Sequence, residues 1–275
     1  MRIDAHQHFW KYNPQRDSWI TNDMRVLQRD FLPHHLEPLL QQEGFDGCIA
    51  VQADQSEEET EFLLQLADES PFIQGVVGWV DLQSSGIEDR LAYFSQFQKL
   101  KGFRHIVQAE RDEQFMQQPA FMHGISLLHT FNFTYDILIY PHQLPSAEKL
   151  VASFPAQKFI VDHLAKPLIK AGEIEKWKRD LRRLAQHPNV YCKVSGLVTE
   201  AHWQQWKESY FTPYLDVVTE AFGMHRLVYG SDWPVCLLAA TYRQQLKIIQ
   251  NYFQNLSEME QAQVFGGNAQ QFYQL

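Results

Sequence analysis

Short apolar, β-branched runs alternate with segments of helical spacing along the whole chain, and this alternation restricts the fold more than any other feature. The runs fall at residues 3–6, 47–53, 73–80, 102–107, 133–140, 158–163, 190–194 and 226–229. Several are almost continuously apolar, the pattern of parallel strands covered on both faces. Between them, residues 57–70, 87–99, 119–130, 146–154, 173–187, 212–222 and 240–253 carry apolar residues at helical spacing. Ser56 precedes an acidic first turn as an N-cap does, and Ser257 with Glu260 reads as a capping box opening a last helix.

Strands alternating with helices in this way predict an α/β fold, a (β/α)8 TIM barrel forming a single domain over residues 1–275. The competing arrangement is an open doubly wound sheet. It is weakened because no Gly-x-Gly-x-x-Gly turn follows the first run. No low-complexity segment, charge block or Pro/Gly/Ser linker divides the chain.

In a barrel of this kind, chemistry belongs at the C-terminal ends of the strands. Ionisable residues do gather where the runs end. The first run ends in His6-Gln7-His8, the fourth in Arg104-His105 and the sixth in Asp162-His163 followed by Leu164-Ala165-Lys166-Pro167. The seventh carries Lys193 and Ser195, and the eighth ends in Gly230-Ser231-Asp232-Trp233-Pro234. Residues two apart on a strand share a face, so His6 and His8 leave one strand end side by side, where two imidazoles can share a divalent ion. Taken singly, His163 reads first as a core histidine bonded to a backbone carbonyl, and Asp232 could be only a turn residue. Their coincidence at strand ends points instead to a catalytic barrel.

The bulk numbers exclude other classes. A net charge of −9 with no basic run argues against nucleic acid or an anionic membrane surface as a partner. Cys48, Cys192 and Cys236 are few and widely spaced, which fits reduced thiols rather than a disulfide framework or a zinc finger. With no apolar leader before Arg2-Ile3-Asp4 and no long apolar stretch, a cytoplasmic protein is expected. Aromatic residues make up 13% of the chain, enough to wall an apolar pocket as well as fill a core. Outer barrel helices can pair without leaving a motif, so a homo-oligomer stays open.

His-x-His on the first strand, a histidine on the sixth and an aspartate on the eighth resemble the amidohydrolase superfamily. More narrowly, the chain is similar to the lactonase-type branch called amidohydrolase 2. The resemblance runs through Asp4-Ala5-His6-Gln7-His8-Phe9-Trp10, Trp19-Ile20, residues 27–33, Lys101-Gly102-Phe103-Arg104-His105, residues 162–167, Lys193-Val194-Ser195-Gly196-Leu197, residues 229–234 and Gly267-Asn268-Ala269. Members of that branch hydrolyse sugar lactones of the fucono- and rhamnono-lactone type, and related ones open pyrone dicarboxylate or muconolactone rings. The chain departs from the superfamily's binuclear pattern. Arg104-His105 stands where a carbamylated lysine would follow the fourth strand, and His142 lies just past the fifth run rather than within it.

The resemblance therefore implies a small-molecule sugar lactone as substrate and one divalent ion, zinc before others, on His6, His8, Asp232 and His163. Because the branch also includes enzymes that work without metal, the ion is dispensable in some members. His6 and His8 thus have two readings, as metal ligands or as hydrogen-bond donors to the substrate. Asp232 is the expected general base, with His163 beside it, and His105, Arg104 or Lys193 would polarise the lactone carbonyl. Trp10, Trp19, Trp233 and the segment 17–33 would wall the substrate. Two alternatives keep the barrel: a metal-dependent non-oxidative decarboxylase of an aromatic or muconate-type acid, and a barrel that binds a sugar acid without turnover.

Overall fold

In the computed structural model, which describes residues 1–275, the apolar runs form eight parallel strands paired in chain order. They are β1 (Ile3–Gln7), β2 (Gly47–Val51), β3 (Ile73–Gly78), β4 (Leu100–His105), β5 (Thr134–Ile137), β6 (Phe159–Val161), β7 (Val190–Val194) and β8 (Leu227–Tyr229). The ring closes just past the ends of β8 and β1. There the His8 N–H donates to the Trp233 carbonyl at 2.7 Å and the Asp232 N–H to the His6 carbonyl at 2.8 Å. Glycine at position 230 permits this approach, since a Cβ there would lie 2.5 Å from the His6 Cβ. The result is the (β/α)8 barrel in a single domain that the alternation predicts.

The helices pack outside the strands over a continuous apolar layer. Helix α2 (Glu57–Glu69) opens as expected, the Ser56 hydroxyl accepting from the Glu59 N–H, and Ser257 and Glu260 form their reciprocal cap. One helix was not foreseen. Residues Pro33–Gln42 are helical (α1), although Pro38 lies inside the helix and removes one backbone donor. Proline at the first turn is compatible with a helix start, and burial of Leu36 and Leu40 outweighs the weak local propensity. No helix is long and apolar enough to cross a membrane. All three cysteines are buried free thiols.

Alternation sorts the strand residues into two sets. Tyr135, Phe159, Val161, Cys192 and Tyr229 face the helix layer. Inside the barrel a lower apolar cluster contains Ile3, Ala5, Ile49, Val51, Val77, Ile160 and Val228, closed from below by Phe272 and Tyr273 of the C-terminal helix (Asn268–Tyr273). Above it the interior turns polar, with Arg104, Asp136, Asp162 and Lys193 all buried. Strand β1 reaches this level by a change of register. Asp4 pairs with Cys48 but Gln7 with Ala50, so three steps on β1 match two on β2. That extra residue lets Ala5 and His6 both face inward, as a β-bulge does.

Candidate active site

Asp232 stands at the end of β8 in a left-handed conformation, with φ of 56°. Its position is fixed from β1. The Asp4 carboxylate accepts the Ser231 N–H at 2.8 Å, and the Asp232 N–H is held on the His6 carbonyl. Three imidazoles surround the Asp232 Oδ1: His8 Nε2 at 3.5 Å, His163 Nε2 at 3.8 Å and His6 Nε2 at 4.0 Å. All four side chains are nearly enclosed. Burial alone would raise the Asp232 carboxyl, but His163, His8 and Lys166 outweigh it and hold the group below the usual carboxylate range.

His163 comes from an unusual turn. His163, Leu164, Ala165 and Lys166 all have left-handed φ, at 52°, 56°, 56° and 49°. Left-handed residues without glycine cost about 1–2 kcal/mol each, so a run of them persists only where packing imposes it. Here Leu164 and Ala165 are fully buried, and Trp177 donates its indole N–H to the Leu164 carbonyl at 2.7 Å. The turn delivers His163 to Asp232, with its Nδ1 2.8 Å from the Ser195 hydroxyl. Gly196, at φ +65°, lets the chain pass; a Cβ there would sit 2.7 Å from the His163 ring. Burial pushes His163 down to about 4, so the ring is neutral near pH 7.

The His-x-His pair has the tautomers a cation site needs. The Val51 carbonyl can only accept, so His8 Nδ1, 2.7 Å away, carries the proton and Nε2 presents a lone pair. On His6 the Nδ1 faces the Asp162 carboxylate at 3.4 Å, which can only accept, so Nδ1 carries the proton and Nε2, 3.2 Å from the His8 Nε2, presents a lone pair. Two acceptors are thus held face to face, an arrangement that a divalent ion satisfies. Ligands about 2.0–2.1 Å from a tetrahedral ion are roughly 3.3 Å apart, close to the observed nitrogen separation. His6, His8 and Asp232 form one group able to hold a metal, and His6, Asp162 and His163 a second that shares His6. Burial keeps His6 well below its ordinary value, leaving it neutral and able to coordinate.

Beneath His6 lies a charged ring that motif reading had only partly identified. The fully buried Lys193 ammonium meets Asp136 at 2.5 Å, Asp162 at 3.0 Å and the His6 Nδ1 at 3.1 Å. Arg104 bonds Asp162 at 2.9 Å and the Gln52 carbonyl. The Asp136 carboxylate also accepts from the Tyr273 hydroxyl, at 3.0 Å. Asp162 stands among the strand-end residues noted above without an assigned role, and Asp136 is an addition from the structure; a carboxylate inside an apolar strand run is the available signal. Lys193 has 0% exposure and only acidic and imidazole partners, so it supports His6 from below rather than polarising a substrate carbonyl.

Other expected residues lie elsewhere. His105 follows Arg104 on β4, so it points to the opposite face. It stacks on Phe115 and bonds Glu110 at 2.8 Å, outside the Asp232 cluster. Trp10 and Trp233 are 2% exposed and pack edge-to-face on Phe31, which anchors the 17–33 segment. Trp19 packs on Trp10 but remains 42% exposed. His142 stacks on Tyr140 and does not reach the cluster.

Comparison with known proteins matches the chain to the amidohydrolase family over residues 3–275. It is 39% identical to an L-fucono-1,5-lactonase of Burkholderia multivorans, across 100% of this chain and 96% of that one. It is 36% identical to an L-fucono-1,5-lactonase of Burkholderia ambifaria over the same shares. A crystal structure of an amidohydrolase from Burkholderia multivorans with bound zinc superposes with a TM-score of 0.96 at 39% identity, covering 100% of this chain and 99% of that chain.

Proposed function

This chain belongs to the amidohydrolase family, and we propose that it hydrolyses the lactone of a sugar acid, a carboxylic ester hydrolysis. The observation that carries the reading is the Asp232 carboxylate ringed by three imidazole nitrogens at 3.5–4.0 Å at the catalytic end of the barrel. The lactonase relatives at 39% and 36% identity support the substrate class; decarboxylation and binding without turnover are not favoured.

A lactone is an activated ester, so its opening needs a positioned water and a stabilised oxyanion. Asp232, ionised at neutral pH, takes the proton of the attacking water and returns it to the ring oxygen as the C–O bond breaks. A base held below the usual carboxylate range suffices because the leaving group is good. If the Ser195 hydroxyl donates to Nδ1, the neutral His163 presents its Nε2 proton to the developing oxyanion. Asp162, held by Arg104 and Lys193, faces the His6 Nδ1 proton and fixes the orientation of the ring. His6, His8 and Asp232 would hold a divalent ion, zinc by the donor set, and His163 stands beside it. Such an ion acidifies water and polarises a carbonyl.

A panel of sugar-acid lactones followed by a pH indicator, with and without chelator, tests the reading. Acid release on a fucono- or rhamnono-type lactone is expected. No acid from any lactone, with carbon dioxide released from a carboxylated aromatic, would overturn it.

A further inference from the structure

The left-handed turn ends on a second ionisable residue. Its last member, Lys166, is partly exposed, and its ammonium lies 3.7 Å from the Glu200 carboxylate on the loop after β7. That separation exceeds a hydrogen bond, and neither head group has a shorter partner in the fold. Both side chains are about four-fifths covered, at 19% and 20% exposure, so each keeps a small accessible part. Glu200 lines a groove of about 1020 Å³ together with Asp23, Thr199, His202 and Trp203. On the other side, the ammonium lies 5.7 Å from the centre of the Tyr140 ring. The pair stems from the two loops that shape the reacting centre: Lys166 ends the turn that carries His163, and Glu200 follows Ser195 and Gly196, which contact the His163 ring, on the loop after β7.

We propose that Lys166 and Glu200 are a specificity-determining pair that reads adjacent hydroxyls of the lactone ring. The inference rests on the lactone-hydrolase reading above. An ammonium supplies donors and a carboxylate supplies acceptors, so together they satisfy two neighbouring hydroxyls, each of which donates and accepts. A lone cation would suit an anionic substrate. Pairing it with Glu200 cancels the net charge and fits a neutral polyol instead. The left-handed turn makes the recognition rigid, because the same four residues that aim His163 at Asp232 also set the stem of Lys166.

The test compares L-fucono-1,5-lactone with δ-valerolactone, which has the same ring size and no hydroxyls. Lys166→Met and Glu200→Gln each keep the side chain's length. Each is expected to lower the ratio of kcat/KM values for the hydroxylated over the bare lactone by about 10–100-fold, the range for hydrogen bonds to charged groups. The double variant is expected to lose little more than either single one, because one unpaired partner already spoils the pair. An unchanged ratio overturns the proposal. An equal loss on both lactones also overturns it, since it assigns Lys166 only to the charge balance of Asp232. If Lys166→Met fails to fold by circular dichroism, Glu200→Gln alone decides by the same ratio. A wild-type protein that opens neither lactone nor any other overturns the underlying reading, which an active wild type with an unaltered variant ratio does not.

Discussion

Replacing Lys193 by methionine probes the charged ring directly. The change keeps the length of the stem and removes the ammonium from between Asp136 and Asp162, all three groups having 0% exposure. Asp162 retains Arg104 at 2.9 Å, but Asp136 retains only the Tyr273 hydroxyl. Breaking a buried pair by deleting one partner costs about 3–5 kcal/mol, because the other charge is left uncompensated. At about 2–4 °C per kcal/mol for a domain of this size, the melting temperature should fall by roughly 6–20 °C. The loss should depend on pH, and the sign is fixed. Burial already raises Asp136 to about 6, and without Lys193 it rises further. A carboxyl whose folded value exceeds its unfolded one contributes stability at low pH and loses it as pH climbs through the folded value. The variant should therefore regain up to roughly 1.4 kcal/mol relative to wild type for each unit of acidification from pH 7.5 toward 5.5. Urea denaturation at those two pH values measures it. Adding Asp136→Asn should recover most of the loss at pH 7.5, because Tyr273 can donate to the amide oxygen. A loss below about 1 kcal/mol, or no recovery in the double variant, would refute the idea that the ring is held by compensated charge.

Three further outcomes are expected. Asp232→Asn should lower kcat by about 100- to 10,000-fold with little change in melting temperature, and retained turnover would remove Asp232 as the base. Gly196→Ala places a methyl 2.7 Å from the His163 ring at a φ of +65°; it should cost about 1–3 kcal/mol and reduce turnover, and wild-type kinetics would show that His163 is not positioned by that contact. Burial raises Glu59 to about 7, although its carboxylate accepts the Ala53 and Asp54 N–H groups. Wild type should accordingly lose up to roughly 3 kcal/mol between pH 5 and 8 that Glu59→Gln does not lose, measured as the difference between their pH–stability curves.

The strands were legible because a parallel strand buried on both faces must be apolar along its length, as at Ile49–Val51 and Phe159–Val161. His6 and His8 were legible because same-face spacing is a local property. The bulge that turns His6 inward was not, since it exists only as a mismatch between β1 and the register of β2. The turn at 163–166 was invisible for a related reason. Nothing in Leu164 or Ala165 favours a left-handed conformation, which tertiary packing imposes. His105 is the instructive miss. The register of β4 on β5 is unbroken through this pair, so alternation holds and only Arg104 faces the interior, which only the pairing reveals.

The distribution of charge separates the site into two parts. Asp136 and Asp162 each touch a cation directly, Lys193 for both and Arg104 for Asp162, and this lower ring meets the upper group at His6. Asp232 makes its close contacts with imidazoles, of which His6 and His163 are neutral near pH 7. Three carboxylates therefore face two guanidinium and ammonium groups, and the unmatched negative charge sits at the open end. Positive charge reaching the site has one place to act, the His-x-His pair beside Asp232. Substitutions in the lower ring should accordingly register mainly in folding, and those around Asp232 mainly in turnover. A Lys193→Met protein that melts early yet binds metal as tightly as wild type would place the two parts on separate footings. A parallel loss of metal affinity would instead show that the ring acts on the site through His6.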